Sequence, residues 1–231
     1  MDVRTEAAPA PADAPPALTI GESRWPIVIS MLAFMAINIA LRIWLPSESV
    51  AHLPFLLPAV EALLLVFLLT ADPAHQDRRR LRRVALILVI FLVVAALWST
   101  VILVHDLIVG RGVVNNADEL LATGAVVWLG NILAFSLLYW LVDGGGPLAR
   151  SQRSIPLDFA FTQHMSPELA PPGWRPVFWD YLHLGFTNAT AFSPTDVMPL
   201  SLRGKYTMLV QSTVALALFG LVVARAVNAF T

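Results

Sequence analysis

From Val84 the chain reads V-A-L-I-L-V-I-F-L-V-V-A-A-L-W, and no ionisable side chain appears until His105 and Asp106. A helix needs about 20 apolar residues, at ~1.5 Å each, to cross the ~30 Å hydrocarbon core of a bilayer. Directly before this run stands Q-D-R-R-R-L-R-R, residues 76–83, with five arginines. A long segment with no polar face, entered through a cluster of positive charge, predicts a membrane-spanning helix that starts at a membrane surface. The remaining composition agrees: 57% of residues are hydrophobic and 13% charged, with mean hydropathy +0.70. A soluble domain carries about 25% charge. Too few polar side chains remain to coat a water-facing surface, so the chain reads as an all-α integral membrane protein.

Four further segments are long enough or apolar enough to join it, giving five predicted spans: residues 25–45, 51–70, 84–109, 119–142 and 206–230. Trp25 and Trp44 bracket the first, at the depth amphipathic rings prefer. Pro54 and Pro58 are expected to kink the start of the second. Basic residues in short loops set the orientation. The arginine loop 76–83 is expected in the cytoplasm, which places the N-terminus there as well. The loop 144–176, with Arg150, Arg153 and Arg175, falls on the same side, whereas the opposite loops 46–50 and 110–118 hold only Arg111. The expected location is the cell's plasma (inner) membrane, with multiple passes through the lipid bilayer.

Residues 1–22 are rich in Ala and Pro and are expected to form a disordered tail. They lack the basic segment and apolar core of a signal peptide. A four-helix region, 23–143, follows, then the cytoplasmic loop 144–176, where D-G-G-G-P breaks the fourth helix. Within that loop I-P-L-D-F-A-F is expected to lie on the membrane surface. The last unit, 177–231, holds a short helix, a polar turn and the final span.

That short helix, 177–191, reaches only ~22 Å at 1.5 Å per residue, and Pro194 stops it. A half-depth helix followed by extended polar chain is what a re-entrant loop requires, since irregular backbone within a membrane needs protein or water around it. Thr187, Asn188, Thr190, Ser193, Thr195 and Asp196 supply hydroxyls, an amide and a carboxylate that could replace part of an ion's hydration shell. The same residues also make self-capping turns. The alternative topology is a sixth, tilted helix that crosses fully.

Residues 177–221 resemble the pore module of potassium channels, in which a short pore helix precedes a T-T-V-G-Y-G-D filter, an external rim and an inner helix. Thr190 falls where the filter's first threonine belongs, and Asp196, Pro199, Ser201, Gly204 and Lys205 match the family's spacing. L-F-G-L-V, 218–222, is similar to the inner-helix segment with the gating hinge, which makes Gly220 the hinge candidate. The resemblance implies a homo-oligomer, a tetramer in the channel case, that passes monovalent cations. Ser193, Pro194 and Thr195 replace the filter's glycines and tyrosine. Potassium filters use glycine so that successive carbonyls face the ion, and that ladder is not expected here. The family's loop also enters from outside, whereas the arginines place this one on the cytoplasmic side. The whole chain is similar, too, to a bacterial family of small integral membrane proteins of unknown function that end in an aromatic D-Y-L segment, a polar turn with Asp, a basic pair and a final helix. That similarity implies no activity, so a non-conducting scaffold or sensor remains the alternative.

Charged residues inside a bilayer are functional candidates. Glu61 in the second span and Arg225 in the last are expected to pair or to relay protons, and His105 and Asp106 lie at the outer end of the third. Asp180 and His183 share one face of the short helix and are expected to bind the loop's own backbone or a ligand. Asn188-Ala-Thr190 fits a glycosylation pattern that membrane burial would block. The absence of cysteine removes disulfides, thiolate metal sites and cysteine nucleophiles, and five scattered histidines argue against a metal centre. Net charge −1 gives no case for nucleic acid. No Gly-x-Ser-x-Gly, His-Glu-x-x-His or phosphate loop occurs, so neither an enzyme nor a cofactor is expected.

Because the chain has no native cysteine, Gln76→Cys gives a single thiol. It should resist an impermeant thiol reagent in intact cells and react once the membrane is opened; ready labelling of intact cells would overturn the orientation.

Overall fold

The structure, a computed structural model, describes residues 25–44, 56–70, 78–109, 117–151, 155–190 and 196–229. It is mostly helical. The principal helices are α1 (Trp25–Trp44), α2 (Leu56–Thr70), α3 (Arg78–Val109) and α4 (Ala117–Val142). After a 3-10 turn (Asp143–Gly145) come the short α5 (Pro147–Ser151), strand β1 (Phe159–Phe161), α6 (Thr162–Met165) and a second 3-10 turn (Pro167–Leu169). Then follow α7 (Phe178–Thr190), β2 (Val197–Pro199) and α8 (Leu202–Ala229). Three stretches are long and apolar enough to cross a membrane: Arg82–Val109, Leu120–Gly145 and Leu202–Ala224. The predicted tail 1–22 and residues 51–55, including Pro54, lie outside the described residues.

Helix α4 is the axis of the fold, packed against α1, α3, α7 and α8. Its residues from Gly130 to Leu137 are all buried. By contrast, α3 turns Ile87, Ile90, Phe91, Val94, Trp98 and Val101 outward, an apolar face with no protein over it. That face is unusual for a water-bathed surface and fits acyl chains.

Two ends of the bundle can be told apart by what meets there. At one end Leu103 and Leu107 of α3, Leu120 of α4 and Leu218 and Val222 of α8 form a small apolar cluster. At the other end lie the arginine-rich start of α3, the turn after α4, the β1–β2 sheet and the starts of α7 and α8. A Cβ built on Gly146 there would sit 3.6 Å from Arg82 Nε. Of the basic residues that set the predicted orientation, Arg82 and Arg150 meet at this end, and Arg153 lies outside the described residues.

Several boundaries shift from expectation. Helix α3 begins at Arg78, within the arginine cluster, and α8 begins at Leu202, because Arg, Leu and Lys are good helix formers and neither run needs to be apolar to be helical. The all-α expectation needs one amendment. I-P-L-D-F-A-F does not lie flat on a surface: Phe159, Ala160 and Phe161 pair antiparallel with Pro199, Met198 and Val197. Phe159 and Phe161 are buried, and their burial against Tyr139, Trp174 and Tyr181 favours the strand.

Helix α7 approaches α4 closely at Gly185. A Cβ there would lie 2.2 Å from Ser136 Oγ and 3.2 Å from the Ile132 carbonyl oxygen. Gly185→Ala should therefore destabilise the protein by about 1–3 kcal/mol in thermal denaturation in detergent. Adding Ser136→Ala, which removes the nearest atom, should recover part of the loss; no recovery would show that the Ile132 backbone, not the hydroxyl, sets the fit.

Candidate functional site

Helix α7 carries the predicted polar stretch, and its position is fixed from two directions. Its first turns meet the end of α4: Phe178 packs edge-on against Trp140, and the Tyr181 hydroxyl donates to Asp143 Oδ2 at 2.5 Å. Its last turns reach the middle of α4, where Phe186 meets Trp128 and Ala189 joins Ile132 and Ala215. From Asp143 to Ile132 is ~16 Å of helix, so α7, described as far as Thr190, descends roughly half the length of α4. Residues 191–195 lie outside the described residues. The chain is next seen at Asp196, whose Oδ2 is 2.8 Å from His183 Nε2, two turns back up α7. Strand β2 then returns to β1 beside the end of α4.

The anchor for this return is a pair of buried carboxylates, which the sequence reading missed. Asp143 is wholly buried. Its Oδ1 accepts from the backbone N–H of Asp158 (2.7 Å) and of Phe159 (3.2 Å), and its Oδ2 accepts from Tyr181. Asp158, equally buried, accepts the fork of Arg203: Nε to Oδ1 at 2.6 Å and Nη2 to Oδ2 at 2.9 Å. The Gly144 N–H also donates to Asp158 Oδ2, at 3.2 Å. Gly144, Gly145 and Gly146 have φ of +54°, +82° and +93°. Only glycine takes three such left-handed steps at little cost, and they turn the chain back on itself at once. Arg150 closes the arrangement by donating to the Trp140 and Asp143 carbonyls, the open acceptors at the end of α4. Its guanidinium lies 4.9 Å from the centre of the Tyr181 ring.

Deeper in the bundle a second network ties α7 to α4 and α8. Asn188 Nδ2 donates to Gln211 Oε1 (2.8 Å) and to the Met208 carbonyl (3.0 Å). Tyr139 donates to the same Gln211 oxygen at 2.7 Å, Gln211 Nε2 donates to the Gly185 carbonyl, and Ser212 donates to Asn188 Oδ1. Asn188, Gln211 and Tyr139 are each only 1% exposed.

The predicted candidates therefore part company. Asn188 faces into the bundle, away from Thr187, Thr190 and His183, because its amide is used up between α4 and α8. Thr187 and Thr190 lie on the outer face of α7 with His183, donating to the carbonyls of His183 and Phe186. Asp196 joins that face through His183, whereas Arg203 is turned to Asp158. Ser193 and Thr195 lie outside the described residues. Gly220 is exposed within unbroken α8, with nothing within 4 Å of a built Cβ. Glu61 is 1% exposed, and its Oε2 has no hydrogen-bond partner. The side chain of Arg225 lies outside the described residues, so the expected pair with Glu61 is not described. His105 and Asp106 meet only at 3.3 Å between neighbours. Asp180 binds its own loop, accepting from the Val177 N–H at 2.7 Å. Burial raises its pKa above the usual carboxylate value, against the pull of that N–H and of His183 and His164.

Set against protein-family models, curated proteins and solved structures, the chain matches none of them.

Removing the arginine fork from a buried carboxylate leaves an uncompensated charge. Arg203→Met should cost about 3 kcal/mol in detergent denaturation. Arg203→Lys should restore only part, because an ammonium cannot span both carboxylate oxygens. A fully stable Arg203→Met protein would show that Asp158 does not depend on this partner.

Proposed function

We propose that the chain is a five-span membrane protein, N-terminus in the cytoplasm, whose α7 and following turn form a re-entrant pore loop in a weakly selective, cation-conducting homo-oligomer. One observation carries the reading: α7 goes in halfway, the chain comes back to the same end, and the polar face between is turned outward. His183, Thr187, Thr190 and Asp196 lie on that face. In a single chain within a bilayer the exposed His183–Asp196 pair would meet acyl chains, where ionisable side chains are costly. Arranged around a shared axis, the same face would line water, and the threonine oxygens keep lone pairs for a passing cation. One such loop cannot enclose a path, so the oligomer is part of the proposal, as is the plasma-membrane location.

Selectivity is expected to be low. No glycine stands between Thr190 and Asp196, and Pro194 fixes its own backbone, so a ladder of inward carbonyls cannot form. A second reading, a non-conducting scaffold or sensor, is favoured by Asn188, whose amide is spent on Gln211 and Met208.

The purified chain in liposomes decides between them. Conduction of sodium and potassium within about a hundredfold of each other supports the pore; a stronger potassium preference would overturn the carbonyl argument. Asp196→Asn should lower flux most at 0.01 M salt, where screening reaches ~30 Å, and least at 1 M, where it reaches ~3 Å. A monomer or dimer by native mass spectrometry, with no flux, would leave the scaffold.

A further inference from the structure

We propose that His183 is a proton-operated clasp on Asp196: acidification charges the imidazole, neutralises the carboxylate at the rim of the loop and slows cation entry. The inference rests on the pore reading and assigns that site its regulation.

The geometry places the two groups in direct contact, His183 Nε2 to Asp196 Oδ2 at 2.8 Å, and the rest of the chain leaves them uncovered, with side chains 60% and 35% exposed. On the water-lined face of the assembled pore, protons reach the pair from solution. Imidazoles change charge between about pH 5 and 8. With a neutral ring, the hydrogen bond leaves the carboxylate its full negative charge. With a charged ring, the pair carries none, and the local potential that concentrates cations is lost. The contact also joins α7 to Asp196, so the proton that removes the charge strengthens the link between them.

One further acid, Asp180, faces the imidazole, and the other charged neighbours are engaged elsewhere or exposed. On α7, Asp180 lies one turn earlier, and its carboxylate is held by the Val177 N–H while interacting with His183 and His164. From α4, Asp143 is taken by Tyr181, Asp158 N–H and Phe159 N–H. From α8, Arg203 is bound to Asp158, and Lys205 is exposed. The described side chains of α1, which also touches α7, include no ionisable group.

Potassium flux into liposomes at about 0.01 M salt, compared at pH 8 and 5.5, tests the clasp. Wild-type flux should fall about threefold or more on acidification. His183→Gln, which keeps a hydrogen-bond donor but cannot be charged, should hold its flux across the range. A His183→Gln protein with the wild-type fall would overturn the clasp. A second measurement needs no conduction. The thermal midpoint of the wild type in detergent, minus that of Asp196→Asn, should widen by about 2 °C from pH 8 to pH 5.5, because only the wild type offers the charged imidazole this carboxylate. An unchanged gap overturns the clasp whatever the flux does. A protein that passes no cation at any pH overturns the pore reading instead, and the gap alone then decides whether His183 and Asp196 are coupled.

Discussion

Two carboxylates, Asp143 and Asp158, are buried together at the end of α4, and the rest of the architecture follows from satisfying them. A buried charge without partners is among the largest penalties a fold can carry. Here each is met by a different part of the chain. Asp143 collects backbone donors from β1 and the hydroxyl of α7, while Asp158 collects the guanidinium of α8 and the first glycine of the turn. The start of the short helix, the start of the last helix and the end of the central one are thereby held together by charge as well as by the aromatic packing of Phe159, Phe161 and Phe178.

The second buried network works at the opposite end of α7. Asn188, Gln211, Tyr139 and Ser212 hydrogen-bond one another inside the bundle, while the polar groups of the outer face, His183, Thr187, Thr190 and Asp196, bond only within α7 and its turn. A half-depth helix with one locked polar face and one open polar face is sided by construction. The locked face explains why the helix can stop in mid-bundle without unravelling: its inward carbonyl at Gly185 and side chain at Asn188 already have partners.

Much of the helical plan was legible from residue order alone. The uncharged run after Val84, the arginines before it and Pro194 after the short helix are local signals, and local signals decide where helices lie. The described part of the short helix, residues 178–190, lies where these signals put it, and Pro194 itself lies outside the described residues. The strands were hidden because each is three residues long and held by partners nearly forty residues apart. Tyr139 and Gln211 are separated by 72 residues, and nothing within either segment announces the other. Asp143 did carry a hint. An aspartate at the end of an apolar helix, followed by three glycines and then by a second aspartate among Phe and Leu, calls for a compensating donor. The partner's identity required the third dimension. The same limit explains Asn188: composition says it can line a path, but only packing says which way it turns.

The order in which the chain is made gives the Arg203 fork a further meaning. Asp158 leaves the ribosome 45 residues before the guanidinium that completes it. Until the last helix begins to emerge, Asp158 has only the Gly144 N–H as a side-chain partner. A chain cut short before α8 would keep Asp158 and lack the guanidinium that pairs with it.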